Sequence, residues 1–138
     1  MQIQHTTISV ISLALLLSAP LFAQEPVPKQ IPNVHAPRGE DYYPVGAIRN
    51  AQEGRLFVEL VVTPKGKVKD ARIIKEEPTG AFKSVVPKLK KWHFDRGYEG
   101  PITVSIVFRL NPCPAACPPI DDYPADIQVK ITAAPLAR

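Results

Sequence analysis

From Ile102 to Leu110 the residue character alternates with a period of two. Ile102, Val104, Ile106, Phe108 and Leu110 fall on one face, and Thr103, Ser105, Val107 and Arg109 on the other. Such a run describes an extended strand with one apolar face turned to a core, and no helical period fits it. The fold must therefore contain a sheet. The remaining segments have to supply its other strands and whatever covers the apolar face.

Arg55 to Thr63 is dense in β-branched and aromatic residues (Phe57, Val58, Leu60, Val61, Val62) and reads as a second strand. Pro64-Lys65-Gly66 is a turn, with proline fixing φ early and glycine free to take a positive φ. Val68 to Lys75 returns from it, so the two strands make a hairpin. Val45 to Gln52, after Pro44, suits a short helix with Ala47, Ile48 and Ala51 on one face. A second helix is expected over Ala81 to Trp92, where Phe82, Val85, Val86, Leu89 and Trp92 recur at helical spacing and Thr79 stands ready to cap. Pro87 lacks an N–H, so a bend or a broken first turn is expected near Val86. The order is α-β-β-α-β, which describes a small α+β domain with a three-stranded antiparallel sheet and helices on one face.

What flanks this domain sets its compartment. Residues 1–23 carry no Asp, Glu, Lys or Arg, and an apolar run from Ile8 to Phe22 is broken by Pro20 and followed by Ala23. A spanning helix needs about 20 apolar residues, so residues 1–23 are read as a cleaved signal peptide, with an uncleaved inner-membrane anchor as the alternative. Residues 24–41 are Pro-rich and without apolar periodicity, and are read as an extended linker with a reach of about 55 Å. The net charge of +4 is spread along the chain, apart from Lys65, Lys67, Lys69 and the group Lys88, Lys90, Lys91. In an exported chain this is a solvated basic surface, so no nucleic-acid partner is expected. Cys113 and Cys117 would meet an oxidising compartment, which favours a disulfide between them. Neither has the His or carboxylate neighbours of a metal site. No nucleophile–base–acid set or phosphate loop occurs, so neither an enzyme nor a cofactor is expected.

The joints of the domain carry a resemblance. Tyr43-Pro44, Glu53-Gly54 opening a strand, Val62-Thr63-Pro64-Lys65-Gly66-Lys67-Val68 at the hairpin, Lys90-Lys91-Trp92-His93-Phe94 and the closing strand Ile102 to Leu110 occur in order over some 70 residues. Together they resemble the C-terminal domain of the TonB energy-transducer family, here spanning residues 42–112. The resemblance implies a domain that grips an extended segment, the TonB box, of outer-membrane receptors and so contributes to TonB-dependent transport. It also implies a tendency to form homodimers, and contact with an inner-membrane motor if the leader is retained. The physical means is strand addition at an edge formed by Ile102 to Leu110. The partner-binding residues it suggests are Tyr43, Pro44, Trp92, Ile102, Val104, Ile106, Phe108 and Leu110. Trp92 also reads as a core anchor, and Tyr43 and Pro44 as a staple for the first helix. Ser105 and Arg109 are expected to face solvent, and His35 and His93 to be surface residues.

Residues 113–138 form a Pro-rich tail with a second alternating segment, 126–132, that is similar to a TonB box. The preferred reading is an exposed tail or one added structural strand; the sharper hypothesis is that it folds back to pair with the edge strand as a box mimic, with Ile127, Val129 and Ile131 on one face. With a short linker and a box-like tail, the chain also reads as a free periplasmic adaptor or decoy that does not transmit force.

Overall fold

The computed structural model describes residues 20–21, 25, 27–113 and 118–137. The leader expected over 1–23 lies outside them apart from Pro20 and Leu21. The described elements are, in chain order, β1 (Val34–His35), α1 (Val45–Arg49), β2 (Gly54–Val62), β3 (Val68–Glu77), a 3-10 turn (Lys83–Val85), α2 (Val86–Leu89), β4 (His93–Phe94), β5 (Gly100–Leu110) and β6 (Ile127–Ala133).

The main sheet has the order β3-β2-β5-β6. β2 is antiparallel to both β3 and β5, whereas β6 runs parallel to β5. The expected three-stranded antiparallel sheet is thus a four-stranded mixed one, with β6 as the additional strand. Burial alternates along β2, with Leu56, Val58, Leu60 and Val62 buried and the residues between them half-exposed. The same face of β5 carries Ile102, Val104, Ile106, Phe108 and Leu110. Against this face pack Tyr43 and Ala47 from the first helical region, and Phe82, Val85, Leu89 and Trp92 from the second. Phe82 stacks on Phe108 with centroids 4.1 Å apart, and Tyr43 meets Phe108 edge-on at 5.4 Å.

The hairpin turn forms as expected: Gly66 has φ +82° and donates its N–H to Thr63 O at 2.8 Å. The second helix is shorter than its spacing predicts. A 3-10 turn gives way to α2 at Val86, with Pro87 in the first turn of α2, so the break falls where Pro87 predicts it. Thr79 does not cap this region. Glu76 does so from the end of β3, its carboxylate accepting the backbone N–H groups of Gly80 and, at 3.0 Å, of Phe82. A carboxylate reaching in from a strand is a tertiary device that local spacing does not reveal.

The Pro-rich linker also departs from expectation. β1 pairs antiparallel with β4, Ile31 and Val34 pack against the core, and Asn33 Nδ2 donates to Asp95 Oδ2 at 2.9 Å. From Lys29 onward this segment is docked on the domain, because Ile31 and Val34 have an apolar surface to cover.

Candidate functional site: the outer side of β5 and the face behind it

The edge at which an extended segment was expected to add is occupied by the chain itself. β6 pairs with β5 from Val104↔Ile127 to Leu110↔Ala133. This register places Ile127, Val129, Ile131 and Ala133 on the core face, each half-buried against it, and turns Gln128, Lys130 and Thr132 the other way. The segment pairs with β5 and shows the face Ile127, Val129 and Ile131, an arrangement that fits one added structural strand as well as a box mimic. β5 is therefore an inner strand, and β6 lies at the edge.

Asp126 fixes the start of β6. Its Oδ2 accepts the Thr103 N–H at 2.9 Å, and its own N–H donates to Thr103 Oγ1 at 2.9 Å. Lys29 Nζ completes the corner, donating to the same carboxylate oxygen at 2.7 Å and to Pro101 O at 2.6 Å. Burial alone would raise the Asp126 pKa. The hydrogen bonds from Lys29 and Thr103 outweigh it and hold the carboxyl below the ordinary aspartate range.

The sheet face opposite the helices carries a second feature. Cross-strand register brings Lys75 and Glu77 of β3, Phe57 and Arg55 of β2, and Ser105 and Val107 of β5 into adjacent rows. Over this patch lies Tyr123 from the segment that leads into β6, only 7% exposed. Its ring stacks on Phe57 with centroids 5.5 Å apart at 30°. The Arg55 guanidinium lies 4.1 Å from the ring centroid and Lys75 Nζ 5.2 Å from it. Tyr123 N–H donates to Ser105 Oγ at 3.1 Å. Ser105 is thus fully buried rather than solvent-facing as expected, because the tail crosses over it.

Arg55 Nε also donates to Glu77 Oε2 at 2.9 Å, and this bond keeps the Glu77 carboxyl ionised to lower pH than usual. Burial first, and the neighbouring Glu77 second, push the Tyr123 phenol pKa up. The buried Tyr123 Oη lies beside Glu77 and Arg55 and interacts with both, although without a hydrogen bond of good geometry to either.

Of the residues expected to bind a partner, Ile102, Val104, Ile106, Phe108 and Leu110 point into the core beside Tyr43. Val104, Ile106, Phe108 and Leu110 flank the core-face residues of β6 across the register, while the β5 backbone supplies its pairing. Trp92 is 5% exposed, meets Tyr42 edge-on and donates Nε1–H to Tyr42 Oη at 3.0 Å. Pro44 stays half-exposed at the start of α1. His93 is exposed, and His35 Nε2 lies 2.8 Å from Asp95 Oδ1. Arg109 lies near Glu53, with Nε 3.4 Å from Oε2, and only 20% of its side chain is exposed. The expected Cys113–Cys117 disulfide involves Cys117, which lies outside the described residues. Sequence reasoning missed Phe57, Tyr123, Lys29 and Asp126 as a set. The only local signal was Asp122-Tyr123-Pro124 standing just before an alternating run.

Comparison with known proteins identifies the family. "Protein TonB" of Salmonella typhimurium is 34% identical over 76 residues, covering 54% of this chain and 31% of that protein. The Escherichia coli K12 protein of the same name is 32% identical over 76 residues, covering 54% and 32%, and that of Klebsiella pneumoniae 30% over 89 residues, covering 58% and 37%. The chain spans about a third of the length of these curated relatives. The solution structure of the Pseudomonas aeruginosa TonB CTD aligns at 24% identity and a TM-score of 0.45, covering 56% of this chain and 87% of that one. The family model "Gram-negative bacterial TonB protein C-terminal" matches residues 40–111, a stretch that contains α1 through β5 and ends before the tail. The chain belongs to the TonB C-terminal domain family.

Proposed function

We propose that this is an exported, periplasmic TonB-family module that binds the TonB-box region of outer-membrane receptors by strand addition at β5, contributing to TonB-dependent transport. The observation that supports it most is the parallel pairing of β5 with β6, an extended segment from outside the family-matched residues. An edge that holds one alternating segment through backbone hydrogen bonds, with apolar side chains entering at every second position, has the properties that recognise another. In this reading the receptor segment takes the place of β6, and its inward residues take the places of Ile127, Val129 and Ile131.

A second reading is favoured by the docked linker. With β1 held on β4 and Lys29 on Asp126, the amino-terminal segment is a poor free tether, so the module acts as an adaptor or decoy without force transmission.

Titration of a synthetic receptor TonB-box peptide into the full chain and into its Val129→Asp variant tests the binding reading. The introduced carboxylate would bring a charge to a half-buried strand position, loosening β6. The variant should bind the peptide several-fold tighter. Equal affinity would remove β6 as an occluding strand, and no saturation of either protein would remove strand addition at β5 altogether. Mass determination of the native amino terminus tests export with cleavage.

A further inference from the structure

The slot under Tyr123 is built from strands that lie within the family-matched residues, yet it is filled by a residue that lies beyond them. We infer that Phe57, Arg55, Lys75 and Ser105 form a second recognition element beside the β5 edge, one that takes an aromatic side chain four residues ahead of the added strand. The occupant it fits is an extended segment of another protein, with an aromatic residue, an acidic residue three positions later and an alternating apolar run directly after that. This rests on the strand-addition reading of β5.

Each part of that description is read from the tail acting as an internal ligand. The aromatic ring gains a stacked face on Phe57 and two cations, Arg55 and Lys75, against its π-system. Its backbone N–H satisfies Ser105 Oγ, which is otherwise buried. The acidic residue is placed by Thr103, whose N–H and Oγ1 both bond Asp126. Residues 124 and 125 between them form no strand, so the spacing is set by how far the chain must travel from the opposite face to the edge.

A partner in trans competes with a tail tethered at an effective concentration of about millimolar. It succeeds by avoiding a cost the tail carries. The internal ligand is imperfect at one atom, Tyr123 Oη, which is buried beside Glu77 and Arg55 without a well-formed hydrogen bond to either. A phenylalanine fills the same slot and leaves no such atom, so the slot accepts Phe at least as well as Tyr. A second copy of the chain offers only the same tyrosine and gains nothing by exchange.

The test uses the full chain carrying Tyr123→Ala together with Val129→Asp, which loosens the tethered β6, and fluorescent peptides of residues 120–133 with Tyr, Phe or Ala at position 123. The Tyr peptide should bind roughly tenfold tighter than the Ala peptide, and the Phe peptide at least as tightly as the Tyr peptide. The Tyr-to-Ala ratio should collapse when Phe57→Ala is added. If that variant melts abnormally, Arg55→Gln serves in its place. A Tyr-to-Ala ratio within twofold would overturn the slot while leaving strand addition standing. Failure of all three peptides to bind would overturn both. Sedimentation of the wild-type chain as a dimer that Tyr123→Ala dissolves would assign the slot to a second copy and overturn the proposal.

Discussion

Lys29 Nζ lies 2.7 Å from Asp126 Oδ2, so a residue of the amino-terminal linker holds the residue that opens β6. The Lys29 side chain is 42% exposed, and a pair this wet contributes less than about 1 kcal/mol to global stability. Its local effect falls on the start of β6, because it joins the linker to the residue that opens that strand. Lys29→Ala should leave the melting temperature nearly unchanged and speed hydrogen exchange at the Ile127–Ala133 amides. Unchanged exchange there would show that linker and β6 are independent.

The same corner carries a pH dependence. Asp126 has its folded pKa depressed relative to about 3.9 in an unfolded chain. A depressed carboxyl stabilises the fold above the unfolded value and loses that contribution as pH falls through the folded one. Asp95 is depressed as well, by its hydrogen bonds to His35 and then Asn33, so the β1–β4 junction weakens in the same direction. Amide protection of β6 should drop below about pH 4, and Asp126→Asn should abolish that dependence.

Tyr43 gives the opposite signature at high pH. Burial first, and the charge of Glu53 second, push its phenol pKa up to about 12. The folded protein keeps a proton that the unfolded chain releases near about pH 10, so stability should decline as pH rises from about 10 towards about 12. Tyr123 adds in the same sense. Tyr43→Phe should flatten the decline measured by urea unfolding. It should also cost about 1 kcal/mol at neutral pH, because Tyr43 Oη donates to Gln52 O at 2.6 Å.

Glycine substitutions should separate sharply. A Cβ on Gly66 would sit 1.9 Å from Phe94 O at φ +82°, and Gly66 O accepts the Phe94 N–H at 2.7 Å. Gly66→Ala should cost about 2 kcal/mol or more by forcing β4 away from the hairpin turn. Gly46 in α1 has nothing within 4 Å of its Cβ position, and Gly46→Ala should be neutral or stabilising by up to about 1 kcal/mol.

Trp92 distinguishes packing from partner contact. It is 5% exposed and bonded to Tyr42, so Trp92→Phe should lower stability by about 1–2 kcal/mol. Peptide affinity should stay within twofold of wild type. A loss of affinity with stability intact would place Trp92 at the partner instead.

Much of the fold was legible because periodicity reports a buried face directly. The alternation of Ile102 to Leu110, the Pro-x-Gly turn and the run from Ile127 to Ile131 each needed only local spacing to be read. The second helix was less legible: its apolar spacing continues to Trp92, but Pro87 and the Glu76 carboxylate confine the regular turns to residues 83–89. The linker misled because proline content suggests extension without saying whether an apolar residue such as Val34 will find a surface.

The amino-acid sequence by itself determined the main apolar faces of the strands, where the hairpin turns and that the tail carries an alternating run able to form a strand, since each follows from chain-local chemistry. Only the tertiary structure decided that the tail strand lies parallel on β5, that Tyr123 crosses to the opposite face, and that Lys29 and Asp126 meet 97 residues apart in the chain. Those outcomes depend on the register between strands, and register is set by the whole sheet at once.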